Sequence, residues 1–174
     1  MNTIITHGLQ TGNSDQAAPK TSLLVLGVGN ILLTDDGVGP KAAEALQARF
    51  PEDAGIAFLD GGTLSFTLAD TIADHDGLIV IDACELVAEP GTIRLFEGAE
   101  MDAHMLGGRR SVHEVALSDL LDMVRLRGAL PERRALVGIQ PLELSWGLEL
   151  SAPVAAGFAS LCAEVEALIG RWRP

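Results

Sequence analysis

Four aspartates, a glutamine and a histidine stand where an α/β domain builds its sites. Asp35 and Asp36 follow a continuous apolar run at residues 23–26, Asp60 follows a second run at 56–59, and Asp82 closes a third at 78–81. Gln140 follows a later run at 135–139, and His113 falls in the first turn of an expected helix. Sites in open α/β sheets form beyond the carboxyl ends of parallel strands, where loops converge and helix N-termini point. A carboxylate at the end of an apolar strand is partly desolvated, and it either caps loop amides or takes a proton or a cation. At position 113 the helix N-terminus disfavours imidazolium and favours the neutral imidazole that a metal requires. Two carboxylates and a neutral histidine on one rim make a ligand set for a borderline divalent metal.

The elements that must position these groups follow from periodicity. The run at 23–26 has no polar position, as in a strand covered on both faces. Gly27, Gly29 and Asn30 break it, and a helix is expected over 37–49, with Pro40 in its first turn and Ala42, Ala43, Ala45, Leu46 and Phe50 on its apolar side. A strand at 56–59 ended by Asp60-Gly61-Gly62, a helix at 64–72 and a central strand at 78–81 come next. Nine residues, including the turn pair Pro90-Gly91, separate Asp82 from the strand-like stretch at 92–96. A parallel return takes a dozen or more residues, so this strand is expected to run antiparallel to its predecessor. A loop with Gly and Met at 98–110 leads to Ser111 and Glu114, spaced as a capping box that opens a helix reaching about residue 126. A strand at 135–139, a loop at 140–150 and a helix from Ser151-Ala152-Pro153 to near Trp172 complete the order βαβαββαβα, an α/β layer domain with one reversed strand.

Size and charge narrow the function classes. A chain of 174 residues suits one domain, here 21–174, preceded by a loose polar leader at 1–20 in which His7 is an ordinary solvated side chain. Its net charge of −12 opposes binding to nucleic acid or anionic lipid. Two widely separated cysteines make neither a disulfide scaffold nor a structural zinc site. No secretory segment is visible at the N-terminus and no apolar run approaches the roughly 20 residues of a membrane span, so a cytoplasmic address without membrane contact is expected.

Other candidates have competing explanations. Gly27 and Gly29 resemble the start of a dinucleotide fingerprint with Asp60 as its ribose acid, but Leu32 stands at the third glycine position and two carboxylates occupy the helix start that would face pyrophosphate. Cys84 is either a nucleophile two residues past Asp82 or a packing thiol. Gly61 and Gly62 either turn the chain or offer amides to a substrate strand or an oxyanion. His75, flanked by Asp74 and Asp76, precedes the central strand and belongs to the opposite edge.

Taken together, residues 26–39 (LGVGNILLTDDGVG), Asp60-Gly61-Gly62-Thr63, Ile81-Asp82-Ala83, Ser111-Val112-His113 and Val137-Gly138-Ile139-Gln140-Pro141 resemble the hydrogenase maturation protease family. Its members are endopeptidases that trim the C-terminus of the nickel-iron hydrogenase large subunit. The resemblance spans roughly residues 22–170 and implies a three-layer α/β/α domain with a mixed five-stranded sheet in the order 2-1-3-5-4, strand 4 antiparallel. It implies metal contacts at Asp36, Asp82 and His113, an aspartic-type peptidase with Asp36 or Asp82 as general base, and a structural role for Asp35. Gly61, Gly62 and Gln140 are the candidates for binding the substrate chain. Nickel is expected to arrive already bound by cysteines of the large-subunit precursor rather than as a resident cofactor. The protein itself is expected to be a monomer. Met101, His104, Met105 and Trp146 are candidate partner contacts from the loops at 98–110 and 140–150. Two other classes stay open at this point: a non-catalytic nickel-sensing assembly factor for the same precursor, and a nucleotide-binding enzyme.

Overall fold

The architecture follows from a chain whose strands are apolar on both faces. The computed structural model describes residues 22–50, 55–63, 65–107 and 112–173, the side chains of 112–114 excepted. The expected leader at 1–20 and the Ser111 capping box lie outside the described residues. Strands β1 (Leu23–Val28), β2 (Ile56–Gly62), β3 (Gly77–Ala83), β4 (Ile93–Glu97) and β5 (Arg133–Ile139) form one sheet in the order β2-β1-β3-β5-β4. All pairs are parallel except β4 with β5, so the short connection after Asp82 does reverse the chain.

Side-chain alternation divides the core into two layers. Leu23, Val25, Ile79, Ile81, Val137 and Ile139 face helices α1 (Val38–Gln47) and α5 (Ala152–Trp172). Leu24, Leu26, Val28, Leu78, Val80 and Leu136 face α2 (Leu68–Ala73), α3 (Ala99–Leu106) and α4 (Val112–Leu126). The three-layer α/β/α fold with order 2-1-3-5-4 is therefore present.

Several boundaries depart from expectation for identifiable reasons. A single helix over 37–49 is replaced by a 3-10 turn, Thr34–Gly37, continuing into α1, and all four turn residues are buried. β2 runs through Asp60-Gly61-Gly62 instead of ending before them, because pairing with β1 resumes at Gly62 after a bulge that skips Gly61. Asp82 lies inside β3, opposite Gly138, one residue before the strand ends. The expected loop at 98–110 contains α3, whose Met101 and Met105 are spaced to share one helix face and are both buried. α3 is tied to β5 by Arg134, which donates to both carboxylate oxygens of Asp102 at 3.0 and 2.7 Å. The pair lowers the Asp102 carboxyl pKa and raises that of the Arg134 guanidinium. The expectation that no segment suits a membrane span also needs correction: α5, with 21 residues and a mean hydropathy of 1.5, is long and apolar enough by length and composition. Its Val154, Leu161, Val165, Leu168 and Ile169 nevertheless pack into the core against the sheet.

α1 crosses the sheet at the closest approach its backbone allows. A Cβ on Gly39 would lie 2.2 Å from the Val28 carbonyl oxygen and 2.4 Å from that of Ile81. Opposite it, a Cβ on Gly27 would lie 2.2 Å from the Gly39 oxygen. Backbone atoms cannot yield as a flexible side chain would, so Gly39→Ala is expected to cost about 2–4 kcal/mol. Thermal unfolding followed by circular dichroism should show the melting temperature falling by about 5 °C or more.

Candidate active site

The first strand carries the site residues directly into α1 through a turn rich in buried acids. Asp35 is fully buried, Asp36 nearly so, and Asp82 is fully buried in β3. Asp36 Oδ2 accepts the Asn30 amide at 2.8 Å, folding the loop after β1 back on itself. Gly29 has φ +131°, and a Cβ there would overlap the Asp36 carbonyl oxygen at 1.8 Å, so only glycine lets the turn close over this position.

β1 and β3 are adjacent, with Gly27 opposite Ile81. The Asp36 turn and Asp82 thus share one stretch of the sheet's carboxyl edge. By alternation from Leu78 and Val80, Asp82 projects to the side covered by α2, α3 and α4. His113 is the second residue of α4, and its side chain lies outside the described residues. The position of its backbone follows from topology. α4 ends at Leu126 and passes the chain to Arg133, which pairs with Gly77 at the amino end of β3. Fifteen helical residues span about 22 Å, and the seven of β3 about 23 Å. The first turn of α4 is therefore level with the carboxyl end of β3, on the face toward which Asp82 points. Among the described residues, no group of three or more His, Cys, Asp or Glu side chains is arranged to hold a metal.

Asp35 has a different task. Its Oδ2 accepts the amides of Leu142 at 2.9 Å and Glu143 at 3.1 Å and the Ser151 hydroxyl at 2.8 Å, while Oδ1 accepts the Ser151 amide at 2.7 Å. Burial pushes this carboxyl upward, but the donors from Ser151, Glu143 and Leu142 together outweigh burial and hold it below 3.8. The structural role expected for Asp35 is thus a clamp between the first turn and a loop more than a hundred residues away. Ser151 was legible only as a helix start. Its hydroxyl makes no capping bond, because it is given to Asp35.

The remaining candidates separate clearly. Gln140 is buried, and its Oε1 accepts the Leu86 amide at 2.7 Å and the Ala88 amide at 3.4 Å, which shapes the loop after β3. The Gly62 amide donates to Asp60 Oδ1 and its carbonyl accepts the Gly29 amide. Gly61 is the bulged residue beside them at the sheet edge. Cys84 is buried among core side chains, its sulfur against the Asp82 carbonyl at 3.7 Å and close to Gly138, as a packing thiol would be. Met101 and Met105 are core residues and His104 stacks on Phe96, whereas Trp146 is 81% exposed. His75 accompanies the amino end of β3, where its ring contacts the Thr71 carbonyl. The helix start that a nucleotide phosphate would need is filled by the carboxylates of Asp35 and Asp36.

Comparison with known proteins gives a consistent result. The family model described as hydrogenase maturation protease matches residues 40–167, a range that includes Asp82 and His113 and begins just after Asp36. The hydrogenase expression/formation protein HupD of Rhizobium leguminosarum is 39% identical over 137 residues, covering 78% of this chain and 68% of its own. The hydrogenase 2 maturation protease of Escherichia coli is 37% identical, with 77% of this chain and 82% of its own covered. Several curated relatives are longer, and the chain spans about two thirds of their length. Among solved structures, the hydrogenase maturating endopeptidase HybD of E. coli superposes with a TM-score of 0.80 at 34% identity, covering 86% of this chain and 93% of that one. The HybD maturation protease of Thermococcus kodakarensis superposes with a TM-score of 0.74 at 30% identity, covering 85% and 99%.

The Asp35 clamp predicts a pH signature. Asp35→Asn replaces an acceptor-only carboxylate by an amide facing the same donors, and should cost about 2–4 kcal/mol at neutral pH. Because the folded pKa of Asp35 is lowered, its stabilisation is complete above the unfolded value near 3.8 and fades as pH falls through the folded value. Urea titrations should therefore show wild type and variant converging below about pH 4.

Proposed function

The chain belongs to the hydrogenase maturation protease family, which makes it a peptidase, and we propose that it removes a short C-terminal peptide from the nickel-loaded precursor of a nickel-iron hydrogenase large subunit. What supports this reading is that the buried Asp36, in the turn after β1, and the buried Asp82, near the end of β3, follow adjacent parallel strands to the same edge of the sheet. Asp36, Asp82 and His113 are the residues we assign to nickel. Two carboxylates and one imidazole hold a divalent ion weakly alone, but they complete the coordination of an ion that another protein's thiolates already carry. The metal is thus part of the substrate, and its presence licenses the cut.

Hydrolysis then needs one base and one well-placed water. Asp36 or Asp82 takes a proton from that water as its oxygen attacks the scissile carbonyl, and the proton passes to the departing amine as the carbon–nitrogen bond breaks. This is the sense in which the enzyme is of aspartic type. Gly61, the bulged residue of the outer strand β2, is assigned to the substrate chain. Gly62 and Gln140 act through the loops they fix. With its large acidic excess the protein is suited to work as a cytoplasmic monomer on a protein substrate, away from nucleic acid and membrane.

Purified protein mixed with nickel-loaded precursor should convert it to a form shorter at the C-terminus, read by intact-mass spectrometry. Metal-free precursor should remain whole. Asp36→Ala, Asp82→Ala and His113→Ala should each lower the rate by at least about a hundredfold while leaving the circular dichroism spectrum unchanged. Full activity in two of the three would overturn the assignment. A stable complex with an untrimmed precursor would instead identify a non-catalytic assembly factor.

A further inference from the structure

Six large apolar side chains are presented to solvent on two segments at the carboxyl end of the sheet. Ile31 and Leu32 are 47% and 46% exposed, and Leu142, Leu144, Trp146 and Leu148 are between 51% and 81% exposed. The segments are joined to each other. The Thr34 amide donates to the Gly147 carbonyl at 2.8 Å, the Gly147 amide to the Leu32 carbonyl at 2.9 Å, and the Thr34 hydroxyl to the Glu143 carbonyl at 2.8 Å. Lys41 Nζ is held by the Leu148 carbonyl at 2.6 Å, and Asp35 pins the two ends of the loop. Apolar groups held rigidly in water are preorganised for a partner, since little ordering entropy remains to be lost on binding. Below Ile31 the surface continues into a groove of about 360 Å³ between α1 and β2, floored by Phe58 and Leu59.

Charge selects the occupant. Glu44, Asp60, Glu143 and Glu149 are exposed on these same segments and along the groove, and the nearby Lys41 amine is already engaged. A second copy would bring the same acidic groups and the same net charge of −12, so self-association on this face is disfavoured. The complementary partner is an apolar protein surface edged by basic side chains. Asn30, next to Ile31, donates its amide to Asp36, so this surface adjoins the turn that carries that carboxylate. Resting on the peptidase reading above, we propose that this surface docks the large-subunit precursor beside its scissile segment, with Trp146 as the central anchor.

The test is steady-state processing of nickel-loaded precursor by wild type, the double variant Trp146→Ser with Leu144→Ser, and Glu149→Lys. Leu126→Ser serves as a control, since Leu126 is 89% exposed at the far end of α4. The double variant should raise KM at least about tenfold and leave kcat within about twofold. Its melting temperature should stay within about 2 °C of wild type. Glu149→Lys should raise KM and weaken its dependence on salt, and the control should match wild type. A wild-type KM in the double variant overturns the proposal, as does sedimentation that finds a wild-type dimer and a monomeric double variant. If the wild type leaves the precursor uncut, the peptidase reading fails by itself. Docking is then judged by binding of the same precursor: a weaker Kd for the double variant supports the surface, and equal Kd values overturn it.

Discussion

A single buried carboxylate holds the working end of this molecule together. Asp35 sits in the turn after β1 and accepts four hydrogen bonds from Leu142, Glu143 and Ser151, groups that belong to the loop between β5 and α5 and to the start of α5. Removing a carboxylate from water is costly, and here donors aimed at both oxygens offset that cost. The clamp links both ends of the chain's fold, and the bonds between Thr34, Leu32 and Gly147 reinforce it by holding the loop after β5 over the first turn. The adjacent Asp36 then has its backbone fixed on one side by Asp35 and on the other by Gly29. Two neighbouring buried aspartates thus differ in reach: Asp35 binds a loop more than a hundred residues away, whereas Asp36 accepts the Asn30 amide within its own turn.

The same end of the sheet collects everything else the function needs. Close contact of Gly39 with Val28 and Ile81 seats α1 directly on β1 and β3, which brings the acidic turn level with Asp82. The length of α4 returns its first turn to that level. The clamped loop adds apolar area alongside. A protease gains specificity from such area outside the scissile bond, since a pair of carboxylates offers little discrimination of its own.

How much of this could be read from the sequence depended on whether the signal was local. Fully apolar runs at β1, β3 and β5 revealed strands buried on both faces, and the short span after Asp82 revealed the reversed β4, because connection length alone limits strand direction. Strand ends and a helix start marked Asp36, Asp82 and His113 as candidates, and the structure puts the turn of Asp36, and Asp82 itself, at the carboxyl ends of adjacent parallel strands. The Asp35 clamp was not, since its partners lie more than a hundred residues away and nothing in the spacing marks Ser151 as a donor. α3 was missed because eight residues between glycines carry too few periods, and Gly61-Gly62 read as a stop although a bulge carries β2 through them. Sequence position alone left Cys84 open between nucleophile and packing thiol, and the structure places it in the core. Gln140 proves to hold the loop after β3 through the Leu86 amide, a contact that no local spacing marks.

The account rests on Asp36, Asp82 and His113 meeting at one ion. Anomalous diffraction at the nickel absorption edge, on crystals soaked in millimolar nickel with a peptide carrying paired cysteines, tests this most directly. The predicted result is one peak within coordination distance of both carboxylates and the imidazole, with sulfur completing its shell. A peak bound elsewhere, or the three side chains too far apart to touch a common ion, would contradict it.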